Sequence, residues 1–248
     1  MKILALDTST DYCSVALALD GEADVREMRA GQSHSSLLLR MIDELLRARA
    51  LALRDLDAIA YGEGPGSFTG LRIACGVVQG LAFGADIPVV GIGTLLAMAE
   101  GANADRVVCC VDARVHEIYA AAYRRGVTPG ERTGGNPGFP AVTSHPPVSN
   151  GWEVVREPVV CAPAAAPEIE GEGWLGCGSG FAVYRETLET RYAGQLAGIE
   201  PGRYPHARDI AALAVPLIER GQVSRAESAA PVYLRDKVAL RSDERAAR

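Results

Sequence analysis

Ile3-Leu-Ala-Leu-Asp-Thr-Ser-Thr10 opens the chain, and its reading decides how the rest is parsed. Four apolar residues ending in an Asp and small hydroxyl residues predict a buried strand running into a tight turn. A strand over 13–19, the turn Asp20-Gly21 and a strand over 23–28 follow, which makes an antiparallel meander. The same order recurs from Arg106, with a strand over 107–111, the turn Asp112-Ala113-Arg114 and a strand over 117–123. Asp112 holds the place in this second unit that Asp7 holds in the first, about 105 residues earlier. A single echo at that spacing predicts two related lobes, since a solenoid needs several short repeats.

Between the two echoes lie helices and short buried strands. Residues 35–49 predict a helix with apolar Leu37/Leu38, Met41/Ile42 and Leu45/Leu46 on one side and Arg40, Asp43, Glu44 and Arg47 on the other, with Ser33 as its N-cap. A strand over 58–61 enters Gly62-Glu-Gly-Pro-Gly66, and a glycine-dotted helix over 67–83, a strand over 88–92 and a helix over 95–100 follow. Residues 126–151, rich in Gly, Pro, Ser and Thr, read as a long hairpin loop. A buried strand over 174–177, a glycine turn, a helix over 181–190 and a last strong helix over 207–220 complete the pattern. The division that results is a lobe over 1–104 completed by helix 207–220, a smaller lobe over 105–206, and a C-terminal extension over 221–248.

With 48% hydrophobic and 23% charged residues, the 248-residue chain has the material for a packed core. Its net charge is -6, and residues 1–104 hold 8 Lys+Arg against 13 Asp+Glu, a balance of -5. An acidic surface repels a phosphate backbone, so nucleic acid must be gripped mainly by a partner. Arg235, Lys237, Arg241, Arg245 and Arg248 form a basic run that reads as a solvated tail. The uncharged apolar stretches 73–85 and 87–99 are 13 residues each, short of the roughly 20 that span a bilayer. Four apolar residues before Asp7 are too few for a secretory signal, which predicts a cytoplasmic protein with no membrane partner. The six cysteines show no C-x-x-C pair and read as reduced, structural thiols.

Three segments have the shape of phosphate loops: Asp7-Thr8-Ser9-Thr10 after a strand, Gly62-Glu-Gly-Pro-Gly66 before a helix, and Gly176-Cys-Gly-Ser-Gly180 before another. None carries the Gly-Lys-Ser/Thr of a P-loop or a dinucleotide fingerprint. With the duplicated lobes they predict an α/β fold of the actin and sugar-kinase type, where a nucleotide lies between lobes. Asp7, Thr8, Ser9, Gly64, Gly66 and Asp112 are the candidate binding residues. Asp7 and Asp112 read either as carboxylates holding a hydrated magnesium or acting as base, or as turn residues bonded to the following backbone.

Four strings are more specific: Ile3-Leu-Ala-Leu-Asp-Thr-Ser-Thr10, Gly64-Pro-Gly-Ser-Phe-Thr-Gly-Leu-Arg72, Asp112-Ala-Arg-Val-His-Glu-Ile-Tyr-Ala-Ala121 and Pro231-Val-Tyr-Leu-Arg235. Together they resemble the TsaB/YeaZ family over nearly the whole chain, residues 126–158 excepted. The resemblance implies a duplicated actin-like fold and a non-catalytic subunit that activates the homologous catalytic subunit TsaD. It further implies that TsaD, helped by the ATPase TsaE, transfers threonylcarbamoyl to the tRNA adenosine beside the anticodon. On this reading tRNA is met only through the complex, no cofactor is intrinsic, ATP or ADP sits at the contact with the partner subunit, and the lone chain pairs with a second copy.

TsaD carries an H-x-x-x-H metal pair after its own glycine-rich helix, and matching the two helices puts Thr94 and Met98 at those places. Neither replaces an imidazole, and His34, His116, His145 and His206 form no ligand spacing, so no metal is expected. His34, at the start of a helix, reads as capping or solvated. The partner surface is expected on helices 35–49 and 67–83, at Leu38, Met41, Ile42, Leu45, Gly70, Ala74 and Val77. Gly66, Gly70 and Ala74 fall four apart, as do Gly76, Gly80 and Gly84, so one stripe is expected to meet the protein's own sheet and the other a neighbour. Two alternatives stand beside this reading, an autonomous ATPase or small-molecule kinase of the same fold and a metallopeptidase.

Overall fold

The computed structural model describes residues 1–30, 33–126 and 151–235. The sequence segment 126–151 therefore lies outside the described residues except for Gly126 and Gly151, as do Lys237, Arg241, Arg245 and Arg248.

Strand β1 (Lys2–Asp7) pairs antiparallel with β2 (Tyr12–Leu19), and β2 with β3 (Glu22–Arg29), which is the expected meander. Helix α1 (His34–Ala48) leads to β4 (Ala58–Gly64), which lies parallel to β1. Helix α2 (Phe68–Ala85) crosses to β5 (Val89–Gly93), parallel to β4. The strand order is β3-β2-β1-β4-β5. β1 alternates its buried side chains between two cores. Leu4 and Leu6 join the layer made by α1 and α2, while Ile3 and Ala5 join a layer containing α3 (Thr94–Glu100) and α6 (Ala207–Glu219). A strand buried on both faces reads as the unbroken apolar run that opens the chain.

The second sheet repeats the first. Strands β6 (Arg106–Asp112), β7 (Ile118–Arg125) and β8 (Trp152–Cys161) form an antiparallel meander. Strand β9 (Trp174–Cys177) lies parallel to β6, and β10 (Leu196–Glu200) parallel to β9. The order β8-β7-β6-β9-β10 matches β3-β2-β1-β4-β5 element for element. The fold is thus the duplicated two-lobe α/β architecture, with Asp7 and Asp112 at the ends of equivalent strands.

Four details differ from the sequence reading. Residues 181–190 form two short helices, α4 (Gly180–Val183) and α5 (Arg185–Arg191), broken at Tyr184. Ser33 sits at the N-cap of α1 without a side-chain hydrogen bond to the helix. His34 is buried, its Nε2 3.0 Å from the Thr10 carbonyl, because α1 starts directly over the β1–β2 turn. Of the basic run expected as a solvated tail only Arg235 lies among the described residues, and it pairs with Glu117; ahead of it Ser224 bridges to Val89, and Ala226 and Ala229 are buried in the α1–α2 core. Helix α2 is long and apolar enough by length and composition to cross a membrane. Its Leu71, Ala74, Cys75, Val78 and Ala82 are instead buried in the first lobe.

Candidate functional site

Between the lobes lies a cleft of about 680 Å³, within the range of small-molecule sites. From the first lobe it is lined by the β1–β2 turn at residues 9–12 and the start of α2 at residues 65–68. The second lobe contributes residues 111–115 at the end of β6 and just beyond it, Tyr119, Ser179, Val183 and residues 201–205. Residues 232–235 of the C-terminal segment close one border. Ser9, Gly66 and Asp112 line the cleft, whereas Asp7, Thr8 and Gly64 lie beneath its wall.

The expected phosphate loops are stapled to each other. Ser67 N donates to the Ser9 carbonyl at 2.7 Å, and Thr8 Oγ1 donates to the Gly70 carbonyl at 2.7 Å. The Ser67 hydroxyl accepts from Gly70 N as the N-cap of α2. Ser9 spends its backbone N–H (3.0 Å) and its hydroxyl (2.8 Å) on Asp7 Oδ1. In the second lobe Ser179 Oγ accepts from Asp112 N, and Gly178 N donates to the Glu200 carbonyl. Asp112 Oδ1 accepts from Arg114 N and Tyr184 Oη, and Arg114 Nη1 is 3.2 Å from Oδ2. Within these loops Ser9 N, Ser67 N and Gly178 N are thus spent on partners inside the chain. Asp112 behaves as the turn residue of the two readings offered above.

Asp7 is the outlier. Its Oδ2 is buried without a hydrogen-bond partner among the described residues, in the space a Cβ on Gly62 would enter, 2.0 Å from that position. Burial drives its pKa from the usual 3.8 up to about 7, and the two hydrogen bonds from Ser9 only partly oppose this.

Thr94 and Met98 are fully enclosed. Thr94 Oγ1 donates to the Pro65 carbonyl at 2.5 Å, and the Met98 methyl lies where a Cβ on Gly178 would come within 2.8 Å of it. Thr94 serves the packing of α3 beneath the cleft, and Met98 forms part of the cleft floor. Among the described residues no three His, Cys, Asp or Glu side chains gather as a metal site.

The structure also corrects the residues assigned to the partner surface. Leu38, Met41, Ile42 and Leu45 are all buried in the lobe's own core, because the apolar stripe of α1 is spent on the sheet and α2. Gly70 and Ala74 are buried too, and a Cβ on Gly70 would sit 1.8 Å from the Thr8 carbonyl oxygen. Val77 is half-buried at the edge of that core. What the two helices turn outward is different: Gly76, Gly80 and Gly84, none with a neighbour near its Cβ position, Phe83 at 79% exposed, and Leu39 at 50% on α1.

The sequence reading missed a ring stack on the cleft border. Tyr12 and Tyr204 lie face to face with centroids 3.8 Å apart, His206 stacks on Tyr204 at 4.6 Å, and Glu27 accepts from Tyr204 and pairs with His206 Nδ1. These residues are up to 194 apart in sequence (Tyr12 to His206), so no local pattern announces them.

Comparison with known proteins agrees with this architecture. A family model described as "TsaD: tRNA N6-adenosine threonylcarbamoyltransferase" matches residues 27–242. The tRNA threonylcarbamoyladenosine biosynthesis protein TsaB of Escherichia coli is 35% identical over 96% of this chain and 96% of its own length. TsaB of Haemophilus influenzae is 36% identical over 96% of this chain and 95% of its own. The solved structure titled "YeaZ from Pseudomonas aeruginosa" superposes with a TM-score of 0.77 at 34% identity, covering 94% of this chain and 99% of that one. End-to-end identity at this level, on the same duplicated sheets, places the chain in the TsaB/YeaZ family.

Proposed function

We propose that this chain is a non-catalytic subunit in the making of threonylcarbamoyladenosine in tRNA, and that it acts by pairing with a TsaD-type catalytic subunit. The observation that carries this reading is the end-to-end match to the TsaB relatives. Thr94 and Met98, at the places of the expected metal pair, are buried in packing, which supports a partner as the seat of the chemistry. TsaE would act through the assembled complex, and ATP or ADP would bind at the contact between subunits rather than in this cleft. A cytoplasmic location fits a tRNA-modifying role. The expected outcome of a transfer assay is no product from the lone chain and product once a TsaD homologue and TsaE are added. Product from the purified chain alone, or sustained ATP turnover by it, would favour the kinase-like alternative.

The pairing surface on this reading is the outer side of α1 and α2. Phe83→Asp removes an exposed aromatic anchor, and surface changes usually move stability by less than about 0.5 kcal/mol. It is expected to melt like the parent yet to bind a TsaD homologue, and a second copy of itself, about 30-fold more weakly, the loss typical of a buried interface anchor. Unchanged binding by calorimetry would exclude this face.

Isolated, the chain is expected to bind tRNA no better than non-specifically, with a Kd of about 100 μM or weaker near physiological salt. The -5 balance of residues 1–104 motivates this. Filter binding that returns sub-micromolar affinity would contradict it.

A further inference from the structure

We propose that residues 231–235 are a latch that spans the cleft border and sets how far the two lobes open. The segment is anchored to the first lobe by side chain and backbone alike. Val232 N donates to the Glu63 carbonyl at 2.7 Å, and Ala230 N, just before it, donates to Tyr61 Oη at 3.1 Å. Tyr233 Oη accepts from Arg72 Nε at 2.9 Å, and the Arg72 guanidinium lies 3.8 Å from the Phe68 ring centroid, which is itself 5.3 Å from that of Tyr233. Gly64 has no side chain where the segment crosses, and a Cβ there would come within 2.6 Å of the Val232 carbonyl oxygen.

Two residues on, Arg235 reaches the other lobe. Its Nη2 donates to Glu117 Oε2, and the arginine side chain is only 21% exposed, so the pair is partly sheltered from water. Glu117 closes the turn between β6 and β7, its N–H bonded to the Arg114 carbonyl and its carbonyl to Ala113 N.

That turn carries strain. Arg114, Val115 and His116 have φ of +63°, +54° and +60°, a left-handed run that residues with a Cβ enter at a cost and that a β-branched valine adopts rarely. Such a run persists where surrounding contacts over-determine it. Here those contacts are the Asp112–Arg114 pair on one side and Arg235 on Glu117 on the other. The strained turn and the C-terminal segment both line the cleft, so the pair that joins them bridges its border. Releasing Arg235 frees the turn to relax and lets the lobes separate on that side. The ring stack of Tyr12, Tyr204 and His206 still ties them together elsewhere on the cleft.

Hydrogen exchange on the full chain tests this. Arg235→Gln is expected to raise exchange of the amides at 113–117 about fivefold, and Glu117→Gln to do the same for 232–235, with β1 and β6 unchanged. The reversed pair Glu117→Arg with Arg235→Glu is expected to return both segments toward parental rates. An effect confined to the mutated segment overturns the latch, as does failure of the reversed pair to restore protection.

Discussion

Gly70→Arg is expected to leave the protein unfolded at room temperature. The helix α2 begins two residues earlier, at Phe68, and lies so close to the β1–β2 turn that any Cβ at position 70 would sit 1.8 Å from the Thr8 carbonyl oxygen. That neighbour is backbone, held by Thr8 Oγ1 bonding back to the Gly70 carbonyl, so it cannot swing aside as a side chain could. Even alanine must push helix and turn apart, breaking that bond and the neighbouring Ser67–Ser9 contact. Arginine adds a charge to a fully enclosed site, where an unpaired cation costs several kcal/mol. Losses above about 4–5 kcal/mol are exceptional for one substitution, and they approach the whole 5–15 kcal/mol that holds a domain folded. Circular dichroism at 25 °C checks the result. A cooperative melt within a few degrees of the parent would mean that the helix does not approach the turn as described. Phe83→Asp, on the outward side of the same helix, is the control that is expected to melt normally.

Asp7→Asn is expected to flatten the dependence of stability on pH between about pH 4 and pH 7. In the unfolded chain the carboxyl titrates near 3.8, and in the fold burial raises this to about 7. Between those values the folded protein holds a proton that the unfolded chain has released, so stability falls as pH rises across the window. The contribution is fully present below pH 4 and is lost on passing the folded pKa. Three pH units correspond to about 4 kcal/mol as an upper bound. Asparagine keeps an oxygen for Ser9 N and Oγ and cannot ionise, so the variant escapes this loss. Denaturant melts of both proteins at pH 5 and pH 8 give the comparison. The parent is expected to lose stability relative to the variant at the higher pH, and parallel curves would show that Asp7 is not held neutral.

Much of the architecture was legible in the sequence because it rests on short-range chemistry. The turn Asp20-Gly21 between two apolar runs predicts the hairpin of β2 and β3, and residue 20 does adopt a left-handed φ of +48°. The strand-and-Asp echo at Asp7 and Asp112 predicts the duplication, which the matching strand orders display. Helix α1 announces itself by its apolar stripe, with bounds that differ from the expectation by one residue at each end.

What the stripe does not carry is the identity of the surface that covers it. Leu38, Met41, Ile42 and Leu45 form the same periodic pattern whether they meet this chain's sheet or another protein, and only the fold shows them inside. Glycine is equally ambiguous in one dimension. Gly70 is small because a carbonyl sits against it, while Gly76, Gly80 and Gly84 have empty space around them, and the two sets look alike as letters. Strands β8 and β10 went unread because they lie at sheet edges with half-exposed faces and weak alternation.

Local propensity, turn chemistry and an internal echo were thus enough, in the sequence alone, to determine two related α/β lobes and the equivalent placing of their two aspartates. The tertiary structure alone decided that Asp7 is sealed from the cleft, that Ser67 N donates to the Ser9 carbonyl, and that Arg235 reaches Glu117 across 118 residues. Those outcomes depend on which groups arrive together once distant segments pack, and side-chain burial and hydrogen-bond satisfaction are properties of that assembled neighbourhood rather than of any window of sequence.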